Sequence, residues 1–201
     1  MSIIKISPKQ HLEHPWQVHA LCADFELEDV WRVPVELGAQ HSLQMFMNQF
    51  KQTEAQLVKK GPAGLLFKLR LALGKLFGWD AHPDPNRQGS IRLRYAQQQG
   101  LTISQLPQPG TGSFVPVYQL ENEVLSEIEN ETVHATLHFG RVPLRENVWG
   151  IQMAVHVKPK GLFGKGYMLL IKPFRLWIVY PSLMREASKM WKHFLVQDSK
   201  G

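Results

Sequence analysis

The sequence predicts an α+β domain in which antiparallel strands pack against a long C-terminal helix. Residues 132–142 and 149–158 alternate apolar and polar side chains, which is the pattern of strands with one buried face. From Arg175 onward, apolar residues recur at three- and four-residue steps, which predicts a helix that Pro181 kinks. The chain has 201 residues, so we expect a single domain over residues 1–201 with one sizeable core.

The segments before the sheet show weaker patterns. Residues 1–24 have little periodicity and predict an irregular N-terminal arm. Residues 30–35 predict a short strand, which Pro34 would confine to a sheet edge or a strand end. The spacing of Leu43, Phe46 and Phe50 predicts a helix over residues 42–60.

A second helix is predicted over residues 63–77, where apolar residues cover almost the whole circumference. This favours burial on more than one side, and a basic helix on a membrane surface is the alternative. Residues 80–113 are rich in Pro, Gly and Gln, with one helix at residues 90–99 that Gly100 ends. We interpret this segment as an excursion of the chain over the protein surface, that is, a long surface loop region, with a mobile lid as the alternative.

Two further strands are predicted at residues 114–120 and 124–129, with a helix as the alternative for residues 124–129. The strands at residues 132–142 and 149–158 are joined by a short polar connection and are predicted to form an antiparallel hairpin. In that hairpin the apolar residues face one side and three histidines face the other. We expect the histidine side to be the polar outer face of the sheet. A register shift of one residue would instead turn these histidines into the interior as polar anchors for a ligand. The residues concerned are His134, His138 and His156.

Metal binding by these histidines is not predicted. His134 and His138 are four residues apart, which on a strand separates them by roughly 13 Å, too far to share one zinc ion. His156 on the neighbouring strand would bring the number of ligands to two at most. A second candidate, the glycine-rich segment 161–166 beside Lys158 and Lys160, is interpreted as a flexible corner after the last strand. An anion site is the alternative there.

Charge and cysteine content exclude several classes of protein. Lysine and arginine exceed aspartate and glutamate by 23 − 17 = 6, but they are scattered and form no basic stripe, so nucleic-acid binding is not predicted. The single cysteine, Cys22, rules out an intrachain disulfide, and we expect a cytoplasmic protein. The apolar residues 167–184 contain Lys172 and Arg175, so we interpret them as a buried helix and not as a membrane span. For these two charges we consider three arrangements: contact with solvent, pairing with Glu28 or Asp29, or binding of an anionic ligand group.

Three motifs resemble a bacterial family catalogued as a domain of unknown function. They are DFELEDVW at residues 24–31, NETVHATLHFG at residues 130–140, and IKPFR at residues 171–175 followed by IVYP at residues 178–181. That family is usually placed in the START-like (SRPBCC) ligand-binding superfamily. The resemblance implies the helix-grip fold of START and plant pollen-allergen proteins, in which a curved antiparallel sheet wraps around a long C-terminal helix. The same domain sometimes follows an NAD(P)-binding short-chain-dehydrogenase-like domain.

The resemblance implies a small hydrophobic or lipid-like ligand in an apolar cavity between the sheet and the C-terminal helix. No catalytic set follows from the spacing of residues, and no cofactor is predicted. One alternative is an enzyme of the same fold acting on a hydrophobic substrate. Another is attachment to an anionic membrane or a protein partner through residues 65–79. This chain lacks the Gly-x-Gly-x-x-Gly fingerprint, so a dehydrogenase-like protein would be a separate partner. Our candidates for the cavity lining are Trp31, Tyr118, Val133, Leu137, Phe139, Ile151, Met153, Val155, Arg175 and Trp177.

Overall fold

A computed structural model describes residues 4–57, 84, 86–110 and 114–199. Its strands form one six-stranded antiparallel sheet with the spatial order β1-β2-β6-β5-β4-β3. The strands are β1 (Ile4–Lys5), β2 (Glu26–Gly38), β3 (Val115–Gln119), β4 (Glu123–Glu129), β5 (Val133–Arg145) and β6 (Val148–Pro159).

Helices lie before, between and after the strands. The described helices are α1 (Pro8–Leu12), α2 (Gln17–Leu21), α3 (Leu43–Leu57), α4 (Ile91–Gln99), a 3-10 turn (Ile103–Gln105), α5 (Gly161–Phe174), a π turn (Arg175–Val179) and α6 (Tyr180–Asp198). None of them is long and apolar enough to cross a membrane.

One face of the sheet, called the inner face below, packs against α3 and α6. Phe139 from β5 contacts Phe46 and Phe50 from α3 in the centre of this core. Trp191 from α6 is almost fully buried there, and its indole N–H donates a hydrogen bond of 2.9 Å to the carbonyl oxygen of Glu36. Because α6 is tied to both the core and the backbone of β2, its position on the sheet is fixed.

The opposite face, called the arm face below, is also covered. Val18 and Leu21 from α2 pack with Tyr95 from α4 and with Val117 and Leu125 from the sheet. Gly100 ends α4 as predicted and takes a left-handed conformation, whereas Ser90 is not the first helical residue but the N-cap, whose side chain accepts a hydrogen bond from the backbone N–H of Leu93. The N-terminal arm is therefore part of the packed structure, not an irregular appendage.

The predicted hairpin is confirmed as β5 and β6, which pair antiparallel in the expected register. The strand predicted at residues 30–35 is longer than expected and runs over all of β2. Pro34 is tolerated because β1 pairs with β2 only at Trp31 and Arg32, which leaves β2 at the edge of the sheet beyond those residues. The register of β2 against β6 also shifts between Val33 and Leu37, where Pro34 lies.

The C-terminal helical region begins earlier than predicted. The segment 161–166 forms the first turns of α5, so its interpretation as a flexible corner is wrong. The π turn ends at Val179, two residues before Pro181. The N–H of Tyr180, the residue that caps the turn, donates to the carbonyl oxygen of Arg175. Because a proline ring clashes with the carbonyl four residues before it, a wider turn at this point relieves the clash. The helix predicted over residues 63–77 lies outside the described residues, as do residues 80–83, 85 and 111–113 of the segment 80–113.

Gly164 provides a test of how α5 docks on the sheet. A Cβ atom at this position would overlap the carbonyl oxygen of Thr132, whereas a Cβ atom at Gly166 would meet nothing within 4 Å. We expect Gly164→Ala to lower the free energy of unfolding by about 1–3 kcal/mol through steric overlap. Gly166→Ala should raise it by roughly 0.5–1 kcal/mol, because alanine is the better helix former. Urea unfolding measures both changes, and equal effects at the two positions would contradict this docking.

Candidate functional site

The inner face has a partly exposed apolar patch at the centre of the sheet, which is formed by Ala135, Leu137 and Val155 and is called the inner-face groove below. These apolar side chains are partly exposed although they lie on the two central strands. Leu137 is directly opposite Val155 in the register of β5 and β6. Ala135 lies two residues before Leu137 on β5 and therefore on the same face of the sheet. Side chains in the middle of a sheet that helices cover are normally buried, so this exposure marks a place where the described helices cover the sheet incompletely.

Closed clusters lie on both sides of this inner-face groove. Toward one end, Phe139, Ile151 and Met153 are buried in the main core. Toward the other end, Val133 and Val157 pack with Met168 from α5 in a smaller core. Val155 packs against both clusters, so the groove is the gap between them. From the helix side, Leu176 and Leu183 are partly buried against the main core.

Several predicted lining residues lie away from the groove. Trp31 is buried in the main core. Tyr118 lies on the arm face, where it packs with α2 and α4. Trp177 is 78% exposed and points away from the core. Arg175 pairs with Glu28 at 2.8 Å and lies 3.6 Å from Asp29, so of the three arrangements considered for this cation the structure has the ion pair.

The three predicted polar anchors all lie on the arm face, opposite the groove. The register agrees with the sequence pattern, but this face is not solvated: His134, His138 and His156 are buried. They are buried because α1, α2 and α4 cover the strands that carry them. Sequence periodicity did not predict this cover, since α1 and α2 are only five residues long.

His138 belongs to a network centred on the buried carboxylate of Glu123. The ring Nε2–H of His138 donates to Glu123 Oε2 at 3.0 Å, and the hydroxyl of Tyr118 donates to the same oxygen at 2.9 Å. The backbone N–H of Gln17 donates to Oε1 at 2.9 Å. Burial raises the pKa of Glu123, but these hydrogen bonds outweigh it and the pKa is lowered, which keeps the group ionised.

His134 belongs to a second network centred on Glu127. The carboxylate of Glu127 accepts hydrogen bonds of 2.9 Å from the backbone N–H groups of Ile91 and Arg92, where the positive end of the helix dipole of α4 favours a negative charge. His134 Nε2 lies 2.8 Å from Glu127 Oε2, and Nδ1 lies 3.2 Å from Glu129 Oε2. Both nitrogens of this imidazole therefore have carboxylate partners.

A further group of histidines lies near His138. One ring nitrogen each from His11, His19 and His156 lies within 4.8 Å of the others. Burial, together with the neighbouring His138, lowers the pKa of His11 to about 4 and that of His156 to about 3. Sequence analysis missed His11 and His19, because only the folded arm brings them onto His156.

The comparison with protein families matches residues 21–182, which run from the end of α2 into α6. The chain belongs to the family described as "Protein of unknown function (DUF2867)". The DUF2867 match includes the inner-face groove, His138 and His156, whereas His11 and His19 precede it. No curated protein and no solved structure matches the chain.

The depressed histidine pKa values predict how stability depends on pH. In the unfolded chain a histidine binds a proton near pH 6.5, whereas native His11 and His156 do so only near pH 4 and pH 3. Between these limits the unfolded state binds more protons, so the free energy of unfolding falls as pH falls. Urea unfolding between pH 7 and pH 5 should show a slope that is shallow at pH 7 and approaches about 1.4 kcal/mol per pH unit for each such histidine near pH 5.

Variants assign this pH dependence to the buried histidines. His156→Gln should reduce the slope, whereas His193→Gln, which removes an exposed histidine of α6, should leave it unchanged. A stability that is flat between pH 7 and pH 5, or a slope that depends on His193, would contradict the assignment.

Proposed function

We propose that the protein binds a small hydrophobic or lipid-like molecule in the inner-face groove, between the sheet and the C-terminal helix. One observation carries the proposal: Ala135, Leu137 and Val155 are partly exposed at the centre of the sheet while the side chains on both sides of them are buried. Ligand sites are typically concave and mostly apolar, with few polar groups. Each square ångström of apolar surface that a ligand covers contributes about 25 cal/mol.

The charges near the groove favour an uncharged ligand. Arg175 and Lys172 both pair with Glu28, at 2.8 and 3.2 Å. Because an anionic ligand group would have to compete with this carboxylate, neither cation is available as an anchor without losing its partner. Two polar side chains flank the groove: Ser126 pairs directly opposite Leu137 on β4, and Asp29 pairs directly opposite Val155 on β2. Asp29 already has cationic partners, since Lys5 lies 3.0 Å and Arg175 lies 3.6 Å from its carboxylate. A neutral molecule with one hydrogen-bonding group fits these surroundings.

The fold is consistent with the helix-grip class that we infer for it. A single long helical region, α5 to α6, crosses one face of an antiparallel sheet, and the groove lies between them. This is where the START-like resemblance would place a ligand. Association with an NAD(P)-binding dehydrogenase-like protein stays a prediction from the resemblance. Contact with an anionic membrane stays a prediction about residues 65–79, which lie outside the described residues.

A groove-filling substitution tests the proposal. We expect Ala135→Leu to weaken binding of the uncharged dye Nile red by about tenfold or more, since the larger side chain occupies the space and about 1.4 kcal/mol of contact is lost. Ala20→Leu makes the same change at an exposed position of α2 and should leave binding unchanged. Fluorescence titration measures both affinities, and circular dichroism checks that both variants fold.

Native mass spectrometry of the protein purified from cells provides a second readout. We expect a copurified apolar molecule whose occupancy falls in Ala135→Leu. A wild-type protein that binds neither Nile red nor a cellular molecule, or equal binding by the two alanine variants, would exclude the groove as a ligand site.

A further inference from the structure

We propose that His11, His19 and His156 on the arm face form a binding site for a divalent first-row transition metal ion, for which Zn²⁺ is the test ion. The site is separate from the inner-face groove, because the sheet lies between them. Imidazole is the nitrogen ligand that zinc, copper, nickel and cobalt share, so the donor set selects this class of ion over calcium or magnesium.

The separation of the ligand atoms suits one shared ion after a small closure. The three ring nitrogens lie within 4.8 Å of one another. Tetrahedral Zn²⁺ with bonds of about 2.0–2.1 Å would hold its nitrogens roughly 3.4 Å apart. The rings therefore have to approach by about 1.4 Å at most, which rotation of the imidazoles on short helices α1 and α2 can supply. Three protein ligands would leave a fourth position for water or another group.

Hydrogen bonds already fix the tautomers of two of the three rings. His11 Nδ1 donates to the side-chain Oε1 of Gln152 at 3.1 Å, and His19 Nε2 donates to the backbone carbonyl of His14 at 3.0 Å. Because each ring uses one nitrogen as a donor, the other nitrogen carries a lone pair. Ligand histidines in metal sites are held in this way by outer hydrogen-bond partners.

The nitrogens left over have no protein partner among the described residues. They are His11 Nε2, His19 Nδ1 and both nitrogens of His156. His11 is 0% exposed and His156 is 3% exposed, so these nitrogens are not solvated by bulk water. An unpaired polar atom in such a place is destabilising, and a bound ion would offset that cost. The lowered pKa values of His11 and His156 keep both imidazoles neutral at physiological pH, as a metal ligand must be.

His138 lies beside this group and has the same arrangement. Its Nε2 donates to Glu123, and its Nδ1 has no partner among the described residues. The His11 and His138 ring centroids are 5.3 Å apart. A carboxylate that orients a histidine is the usual outer partner in zinc sites. His138 is outside the group whose nitrogens lie within 4.8 Å of one another, so we assign it no bond to the ion and expect it to orient a water molecule bound there.

The first experiment uses the full chain, expressed without a histidine tag and freed of metal with a chelator. We expect calorimetric titration with Zn²⁺ to give one ion per chain. At a free concentration of a hundred times Kd, Zn²⁺ should raise Tm by roughly 5–10 °C. Co²⁺ in place of Zn²⁺ should give the visible absorption of a four- or five-coordinate nitrogen site.

Single substitutions locate the ion. His11→Gln, His19→Gln and His156→Gln should each weaken Zn²⁺ binding at least about a hundredfold, more than the loss of an outer partner does. Gln152→Ala, which removes the outer partner of His11, should weaken it about 10- to 100-fold. The matched control is His134→Gln, a buried histidine of the same face whose nitrogens already face Glu127 and Glu129. This control should bind with unchanged affinity.

NMR of the wild-type chain gives a test that does not depend on whether the variants fold. Addition of Zn²⁺ should shift the imidazole nitrogen NMR signals of His11, His19 and His156 and leave those of His134 in place. The proposal is overturned by a wild-type chain that binds no ion, by binding that survives all three substitutions, or by an equal loss in His134→Gln. An ordered water molecule that fills the site without metal would give the first of these results.

Discussion

The pairing of β5 with β6 determines which side chains meet on each face of the sheet. Leu137 is opposite Val155 on the inner face, and Thr136 is opposite His156 on the arm face. Because neighbouring residues of a strand point to opposite faces, a slip of one residue would exchange the apolar groove and the histidines. Both faces are buried under helices, so such a slip would place buried polar groups in the main core. Burial on both faces of the sheet therefore fixes the register of β5 against β6.

The arm face tolerates buried polar groups because most of them are paired. β4 supplies two carboxylates, Glu123 and Glu127, and each accepts hydrogen bonds from a histidine and from a helix backbone. A buried ion or hydrogen-bonding group without such partners would be costly. His156 departs from this rule, since neither of its nitrogens has a partner among the described residues. The arm face therefore has two groups of buried polar atoms. Those around Glu123 and Glu127 are hydrogen-bonded within the protein, whereas those of His156 have no partner among the described residues.

Sequence patterns predicted the elements whose side chains alternate over many residues. The β5–β6 hairpin and the C-terminal helix follow from such patterns, and the end of α4 at Gly100 follows from a glycine after a helical segment. The arm face was missed because α1 and α2 are too short to show a periodicity, so their burial of His11 and Val18 depends on tertiary contacts alone. The segment 161–166 was misread because its glycines suggested a loop, whereas Gly164 is needed for the close approach of α5 to Thr132.

The inner-face groove and the histidine group lie on opposite faces of the same two strands. A ligand on either face that binds only the native state adds to the free energy of unfolding through mass action, and the two contributions add if the sheet does not change shape. Coupling between the faces would require β5 and β6 to adopt two alternative arrangements that the ligands distinguish. The register of these strands is fixed by burial on both faces, which leaves no second arrangement of comparable energy. We therefore expect the two proposed sites to bind independently of each other on one rigid hairpin.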